Sequence, residues 1–465
     1  MSDRELPFEP GEAVAVIGLG RSGRAASRLV HERGGEVYAS DLVAGDQQVA
    51  AADALREEGI DAEAGGHDVD RVLACDLVVV SPGVGPTTDI RRELREAGAR
   101  TIAEIELGYR CLDSRIVAIT GTNGKTTTTA LCGHVLETAG VDVGIGGNIG
   151  RPLSELALEE EQPDWAVVEV SSFQLADIEH FRPDVGVLLN LAPDHLDRYR
   201  NIDSYYADKR RLFANADEGC SWVLNADDQD VLGLVDGTPG TLHHYSTERR
   251  LPEGAYLDEE RRLRLEIGDR RETWASVDEL RLVGRHNVSN ALGAGLAAAL
   301  VGCGAGEIGR GLTSFEALPH RLQPVARDER DILWIDDSKA TNVAATAVAV
   351  RAFDEPFVLL MGGRGKGEPF DSLAPLIRGQ ARGLVAFGES APQIVADLGD
   401  AVPELRTETG MTGVVRAAAE VAERGDVVLF SPACSSFDMY PDYEVRGEAF
   451  GRAVDEVLER RGEAR

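Results

Sequence analysis

Twice in this chain a short apolar run ends in a glycine-rich turn that opens a helical pattern. The first is Gly18-Leu19-Gly20-Arg21-Ser22-Gly23, the second Thr120-Gly121-Thr122-Asn123-Gly124-Lys125-Thr126-Thr127. Strand, tight turn and helix in that order make a parallel-sheet unit, because the helix must carry the chain back before the next strand can pair in the same direction. At 465 residues the chain exceeds one core, and two to four domains of roughly 100–200 residues are expected. Strands are predicted at 14–17, 37–40 and 77–80, with a helix over 24–32. A second group of strands falls at 116–119, 166–170, 185–189 and 222–224, with helices over 204–213 and 287–300. A third falls at 332–335, 357–360, 384–387 and 427–430. Residues 237–282 are polar, charged and alternating, and predict a small antiparallel β insert. Weak periodicity over 107–115 and the Leu318-Pro319 step mark boundaries, giving an α/β protein with domains at 1–112, 113–318 and 319–465.

In the first turn the glycines allow close backbone approach, and the helix N-terminus behind them attracts a diphosphate. Asp41 ends the second strand, where a nicotinamide-binding fold keeps its ribose-binding acid. Alone, this unit is compatible with an NAD-dependent oxidoreductase. The second turn is a phosphate-binding loop. Backbone amides over Gly121, Thr122, Asn123, Gly124 and Thr127 cradle phosphates, Lys125 reaches the β/γ oxygens, and the Thr126 hydroxyl can ligate Mg²⁺. Ile119 stands where the usual pattern has glycine, so the loop is a tighter variant. A dehydrogenase has no use for it. A phosphotransfer enzyme that binds ATP and a nucleotide-linked substrate uses both turns.

Of 48 basic residues only Lys125, Lys209, Lys339 and Lys366 are lysines. Arginine supplies surface charge equally well, so surviving lysines point to places that need a compact, titratable amine. Lys366 lies in the glycine-rich segment 362–367 after a strand and suits a carboxylate or phosphate. Lys209 lies in a helical pattern, 205–211, whose plain reading is a solvated face. Glu169 ends a predicted strand and His195 lies just past another, at the sheet edge where α/β proteins bind ligands, and both suit an Mg²⁺ site. Segments 336–342, 362–367 and 431–438 also follow strands, so three polar exits converge on one edge. Cys434, with no histidine nearby in sequence, reads as a packed thiol.

The net charge of −32 repels phosphate backbones and anionic lipid, which argues against nucleic-acid or membrane partners. Six scattered cysteines without a CxxC pair disfavour a zinc ribbon or disulfide scaffold and fit a reducing cytosol. The polar, acidic start predicts no signal peptide, and the most apolar stretch, 291–301, is too short to span a bilayer.

In order along the chain, GLGRSG, SPGV, TGTNGKTT, GGNIG, EVSSFQL, NLAPDHLDR, ADKRRLF, NADD, RHNVSNALGA, LPHRLQ, DDSKATN, GGRGKGEPF and SPACSSFD resemble the Mur ligase superfamily over nearly the whole length. The last three resemble its D-glutamate-adding branch; the DNPR-type segment of the diaminopimelate- or lysine-adding branch is not in the sequence. Folylpolyglutamate synthases, a related class, start directly at the ATPase unit and would lack the GLGRSG domain. The resemblance implies a Rossmann-like domain for a UDP substrate, a P-loop ATPase domain with a mostly parallel sheet, and a Rossmann-like C-terminal domain for the amino acid. It implies a cytoplasmic, monomeric ligase of peptidoglycan precursor synthesis. That ligase joins D-glutamate to UDP-N-acetylmuramoyl-L-alanine through an acyl phosphate, with ATP and Mg²⁺.

Residue by residue, the resemblance places Gly124, Lys125 and Thr126 on phosphate and metal, and Asn287 and Asn290 near adenine. Arg321 and Asp337 would lie near the nucleotide, and Glu169 and His195 at the metal. Lys209 matches a lysine that is carbamylated in the family, its carbamate facing Mg²⁺. Ser22, Ser81, Gly83, Asn148, Ser171 and Gln174 would contact the UDP substrate, and Thr341, Lys366, Ser436 and Tyr443 would hold D-glutamate.

Overall fold

The computed structural model describes residues 4–194, 199 and 201–463, without the side chains of 461–463. Among the described residues the strands form three sheets. The first contains β1 (Ala13–Ile17), β2 (Glu36–Asp41), β3 (Asp61–Ala64), β4 (Leu77–Val80) and β5 (Thr101–Ala103), in the order β3-β2-β1-β4-β5. Every pair is parallel. β4 is Leu-Val-Val-Val and wholly buried, the unbroken apolar run expected of a strand covered on both faces. The helix Arg21–Glu32 lies on this sheet through Ala25, Ala26, Leu29 and Val30. Gly23 lets it approach, because a Cβ there would run into the Gly18 carbonyl.

The second sheet contains β6 (Arg115–Thr120), β7 (Val143–Gly147), β8 (Trp165–Glu169), β9 (Val185–Leu188), β10 (Ser221–Asn225), β11 (Thr241–Ser246), β12 (Gly254–Leu257), β13 (Arg262–Ile267) and β14 (Arg270–Ser276). Its order is β14-β13-β12-β11-β10-β9-β6-β8-β7. The predicted antiparallel insert over 237–282 needs correcting. β11 and β12 join the central sheet in parallel, and only the β12–β13 and β13–β14 pairs are antiparallel. Alternation in sequence reported half-exposed strands but carried no information on their direction. The third sheet, of β15 (Gln323–Arg327), β16 (Leu333–Asp336), β17 (Phe357–Gly362), β18 (Ala381–Phe387), β19 (Leu405–Glu408) and β20 (Val427–Phe430), runs β15-β16-β20-β17-β18-β19. All its pairs are parallel except β15–β16.

The chain folds as two compact units, Met1–Glu279 with Ser289–Ser314, and Leu280–Val288 with Phe315–Arg465. The first two sheets therefore share one unit. The segment that sequence read as an aperiodic break is a helix, Glu104–Cys111, with Glu104 through Arg110 all buried. It lacks an amphipathic period because it is covered all round. The Glu106 carboxylate accepts from the N–H groups of Glu179, His180 and Phe181 at 3.1, 2.9 and 2.8 Å. Arg91 pairs with Asp177 at 2.6 Å. These contacts lock the first sheet to the flank of the second. No helix among the described residues is long and apolar enough to cross a membrane.

Glu104, fully buried in this seam, accepts from the Ser154 N–H at 2.8 Å and leaves Oε2 without a partner. Burial pushes its pKa up from 4.5 to about 7. Between those values the unfolded state has released a proton that the folded state keeps, so this group makes stability fall as pH rises through the window, by at most about 3 kcal/mol. Glu104→Gln should remove that fall. Thermal melts from pH 4.5 to 7.5 are expected to show the variant gaining on the wild type as pH rises; a constant offset would refute this.

Candidate active site

β6, β8 and β9 end level with one another, Ile119 opposite Glu169 and Thr120 opposite Leu188. Their exits deliver the phosphate loop, the acid and the loop leading to Asp194 to one edge. The loop opens the helix Lys125–Thr138 from Gly124, at φ +81°, where a Cβ would strike Asn290 Oδ1. Asn290, on the helix Arg285–Val301, is thus against the loop as expected. Asn287 is buried and donates to the Val283 carbonyl at 2.7 Å. Lys125 Nζ is folded back onto the carbonyls of Gly121 and Thr122, at 2.9 and 2.8 Å. Thr122 is buried, and Tyr205 and the Ala192 N–H both donate to its Oγ1.

Glu169 is 1% exposed. Its Oε1 accepts from Asn148 Nδ2 at 2.8 Å, and its Oε2 is buried without a hydrogen-bond partner. Lys209 is also 1% exposed, which corrects the solvated-face reading of its helix, Ile202–Arg210. Its Nζ donates to the Gly121 carbonyl at 2.7 Å and lies 4.8 Å from the Tyr205 ring centre. Burial, and then the charge of Lys125, push its pKa well below the ordinary lysine value. His195 lies outside the described residues.

A cavity of about 810 Å³ faces the exits of the first sheet, and Gly18, Gly20, Ser22, Ser81, Gly83 and Asn148 line it. Four of the six expected UDP-substrate residues meet there. The other two are at the tip of β8, where Ser171 and Gln174 cap the short helix Ser172–Ala176 and Gln174 Nε2 is buried without a partner. Asp41 also lines the cavity, but its carboxylate accepts from the N–H groups of Leu19 and Val43 at 2.8 and 2.9 Å. It closes the turn, as a structural residue does, and the ribose-binding role is not supported.

In the second unit, Asp337 is buried, accepts from Ser431 Oγ at 2.8 Å and from the Leu322 N–H at 3.2 Å, and is pushed up to about 7 by burial. Arg321 sits between His320 and Leu322, both at positive φ, in a turn held by a 2.7 Å contact between His320 Nδ1 and Asp336. Lys366 Nζ lies 3.5 Å from Thr341 Oγ1, Ser436 is buried, and Lys339 Nζ is 3.8 Å from the Tyr443 ring centre. Cys434 is a packed thiol, raised to about 11 by burial.

Sequence reasoning missed Arg446. Its buried guanidinium donates to Ser338 Oγ and the Ser338 carbonyl at 3.0 and 2.8 Å, and to the carbonyls of Cys434 and Gly362 at 2.9 and 3.4 Å. It thereby ties together all three strand exits of this sheet. Nothing local in sequence signals it, because its partners are three main-chain carbonyls and one serine hydroxyl on other segments of the chain.

Phosphate loop, buried acid and buried amine at one parallel-sheet edge define a nucleotide-dependent phosphoryl-transfer enzyme of the P-loop class. Three family models match in order: Mur ligase MurD-like, N-terminal domain, over 12–103; Mur ligase middle domain, over 119–298; and Mur ligase, glutamate ligase domain, over 320–434. A Salinibacter ruber relative named UDP-N-acetylmuramoylalanine--D-glutamate ligase is 43% identical, over 95% of this chain and 97% of its own. One of the same name from Acidobacterium capsulatum is 40% identical over 98% of each chain. Two solved structures share the fold. They are a pseudomurein peptide ligase type C from Methanothermus fervidus (TM-score 0.58, 20% identity, 96% of this chain and 99% of that one) and the UDP-N-acetylmuramate-alanine ligase of Thermotoga maritima (TM-score 0.57, 18% identity, 98% and 100%). The chain belongs to the Mur ligase family, within the group whose curated members are named UDP-N-acetylmuramoylalanine--D-glutamate ligase. That membership leaves no place for the NAD-dependent alternative.

Gly124→Ala combines left-handed strain with a clash on Asn290. It is expected to weaken nucleoside triphosphate binding at least about tenfold, read by calorimetric titration; unchanged affinity would contradict the loop's role.

Proposed function

We propose that this protein is a cytoplasmic, monomeric ligase that uses ATP to join D-glutamate to UDP-N-acetylmuramoyl-L-alanine in peptidoglycan precursor synthesis. The observation that carries this is the buried amine of Lys209 seated on the phosphate loop beside the half-satisfied carboxylate of Glu169, in a chain whose full-length relatives bear that activity's name. The muramoyl alanine carboxylate is a poor electrophile. It attacks the γ-phosphorus of ATP, the bond to ADP breaks, and an acyl phosphate forms. The free amine of D-glutamate adds to its carbonyl, a proton leaves the nitrogen, and the tetrahedral species expels phosphate. Lys125, released from its two carbonyls, and the loop amides from Gly121 to Thr127 stabilise charge on the phosphoryl oxygens. Asn287, Asn290, Arg321 and Asp337 hold the nucleotide. Ser22, Ser81, Gly83, Asn148, Ser171 and Gln174 hold the UDP substrate, and Thr341, Lys366, Ser436 and Tyr443 hold D-glutamate.

The residues present also fit Mg²⁺. Glu169 Oε2 is a buried oxygen lacking a partner, which a hard cation would satisfy. Thr126, Glu169, His195 and a carbamate on Lys209 would hold it, and it would supply charge neutralisation on the phosphates. Carbamate formation needs an unprotonated amine. Its nitrogen bonds to CO₂ carbon and loses a proton, and burial of Lys209 favours the required neutral form.

Phosphate release is expected only with ATP, UDP-N-acetylmuramoyl-L-alanine and D-glutamate together; full turnover with L-glutamate or L-lysine would defeat the specificity. Lys209→Ala should lose at least about a hundredfold in rate and regain part of it with added short carboxylates. Retention of full activity would remove Lys209 from the site.

A further inference from the structure

β6 and β9 pair in parallel as far as Thr120 opposite Leu188. The pairing then continues beyond the sheet. The Leu189 N–H donates to the Thr120 carbonyl at 3.0 Å, and the Thr122 N–H to the Asn190 carbonyl at 2.9 Å. The next rung is made by a side chain. Asn190 Oδ1 accepts from the Asn123 N–H at 2.8 Å, and Asn190 Nδ2 donates to the Asn123 carbonyl at 3.0 Å. Its orientation is set by these partners, one able only to donate and the other only to accept. A carboxamide carries the donor and acceptor of a peptide group. Here it replaces the rung the main chain cannot supply, because the chain turns away at Leu191, whose N–H goes to Asp228 Oδ2 at 2.8 Å.

The grip falls on the residue just before Gly124, the left-handed start of the phosphate-binding helix. Glycine there is conformationally permissive, so the loop's own sequence does little to fix the direction of the amides that follow. Holding both polar groups of Asn123 restricts that freedom before any phosphate arrives. Aspartate offers no donor, glutamine is a methylene too long, and leucine has the size without the polar atoms.

We infer that Asn190 is a positioning residue for ATP: its side chain acts as a surrogate strand rung that pre-forms the phosphate loop and ties it to the exit of β9. This rests on the proposed role of the 120–127 loop as the ATP site. The same clasp fixes the start of the segment leading to Asp194, so the two sides of the site move together.

The test titrates ATP into the full-length wild type, Asn190→Leu and Asn190→Asp, with UDP-N-acetylmuramoyl-L-alanine titrated in parallel, and follows hydrogen exchange over 121–127 without ligand. The leucine variant is expected to bind ATP about tenfold more weakly, the loss of two hydrogen bonds. Its affinity for the UDP substrate should stay within about twofold of wild type, the loss should appear in KM for ATP more than in kcat, and exchange over the loop should speed up in both variants. A folded variant that binds ATP like the wild type, or that loses both ligands equally, overturns the proposal. If the leucine variant does not fold, the aspartate variant, which keeps size and acceptor, decides the same question. A wild type that binds no ATP overturns the proposed function instead, and unchanged exchange in the variants would separately dispose of the clasp.

Discussion

The hydrogen bond from Lys209 to the Gly121 carbonyl joins the helix Ile202–Arg210 to the phosphate loop, and the proposed chemistry of the site depends on it. A buried ammonium is costly unless it is compensated, and the neighbouring Lys125 makes the charged form costlier still. Both effects shift this amine toward its neutral form, inside an otherwise arginine-rich chain. Arginine could not serve, since it stays protonated at any working pH. The parallel sheet makes the meeting possible: the level ends of β6, β8 and β9 bring Gly121, Glu169 and the approach to Asp194 to one edge, as parallel strands between covering helices do.

The second unit uses charge differently. Arg446 is buried, and its guanidinium is held by the Ser338 hydroxyl and three main-chain carbonyls. Burial lowers its pKa to about 10, yet it remains a cation at neutral pH. In a chain of net charge −32, a buried cation beneath three strand exits is a local correction to an unfavourable global field. Lys366 and Lys339 lie on two of those exits.

Strand positions and both glycine turns were legible in sequence, because buried parallel strands are short apolar runs and phosphate turns need glycine at fixed offsets. Chemistry that depends on distant partners was not. Lys209 looked solvated because its helix is polar and its cover comes from the loop 88 residues earlier. The helix Glu104–Cys111 looked like a break because it is buried on every side. The direction of β11 could not be read from its alternation. Asn190 acts on main-chain atoms and Arg446 largely so, and such partners have no sequence signature. Asp41 shows the opposite error, a familiar position occupied by a residue that only closes its own turn.

The central claim is that the loop at 121–127 seats the phosphoryl group that passes to the substrate. The most direct measurement is a crystal structure of the protein with a non-hydrolysable ATP analogue. The phosphates should lie against the loop amides at the start of the helix Lys125–Thr138, with Lys125 Nζ moved from the Gly121 and Thr122 carbonyls onto the β/γ oxygens. Nucleotide bound elsewhere, or Lys125 left on those carbonyls with the analogue in place, would contradict it.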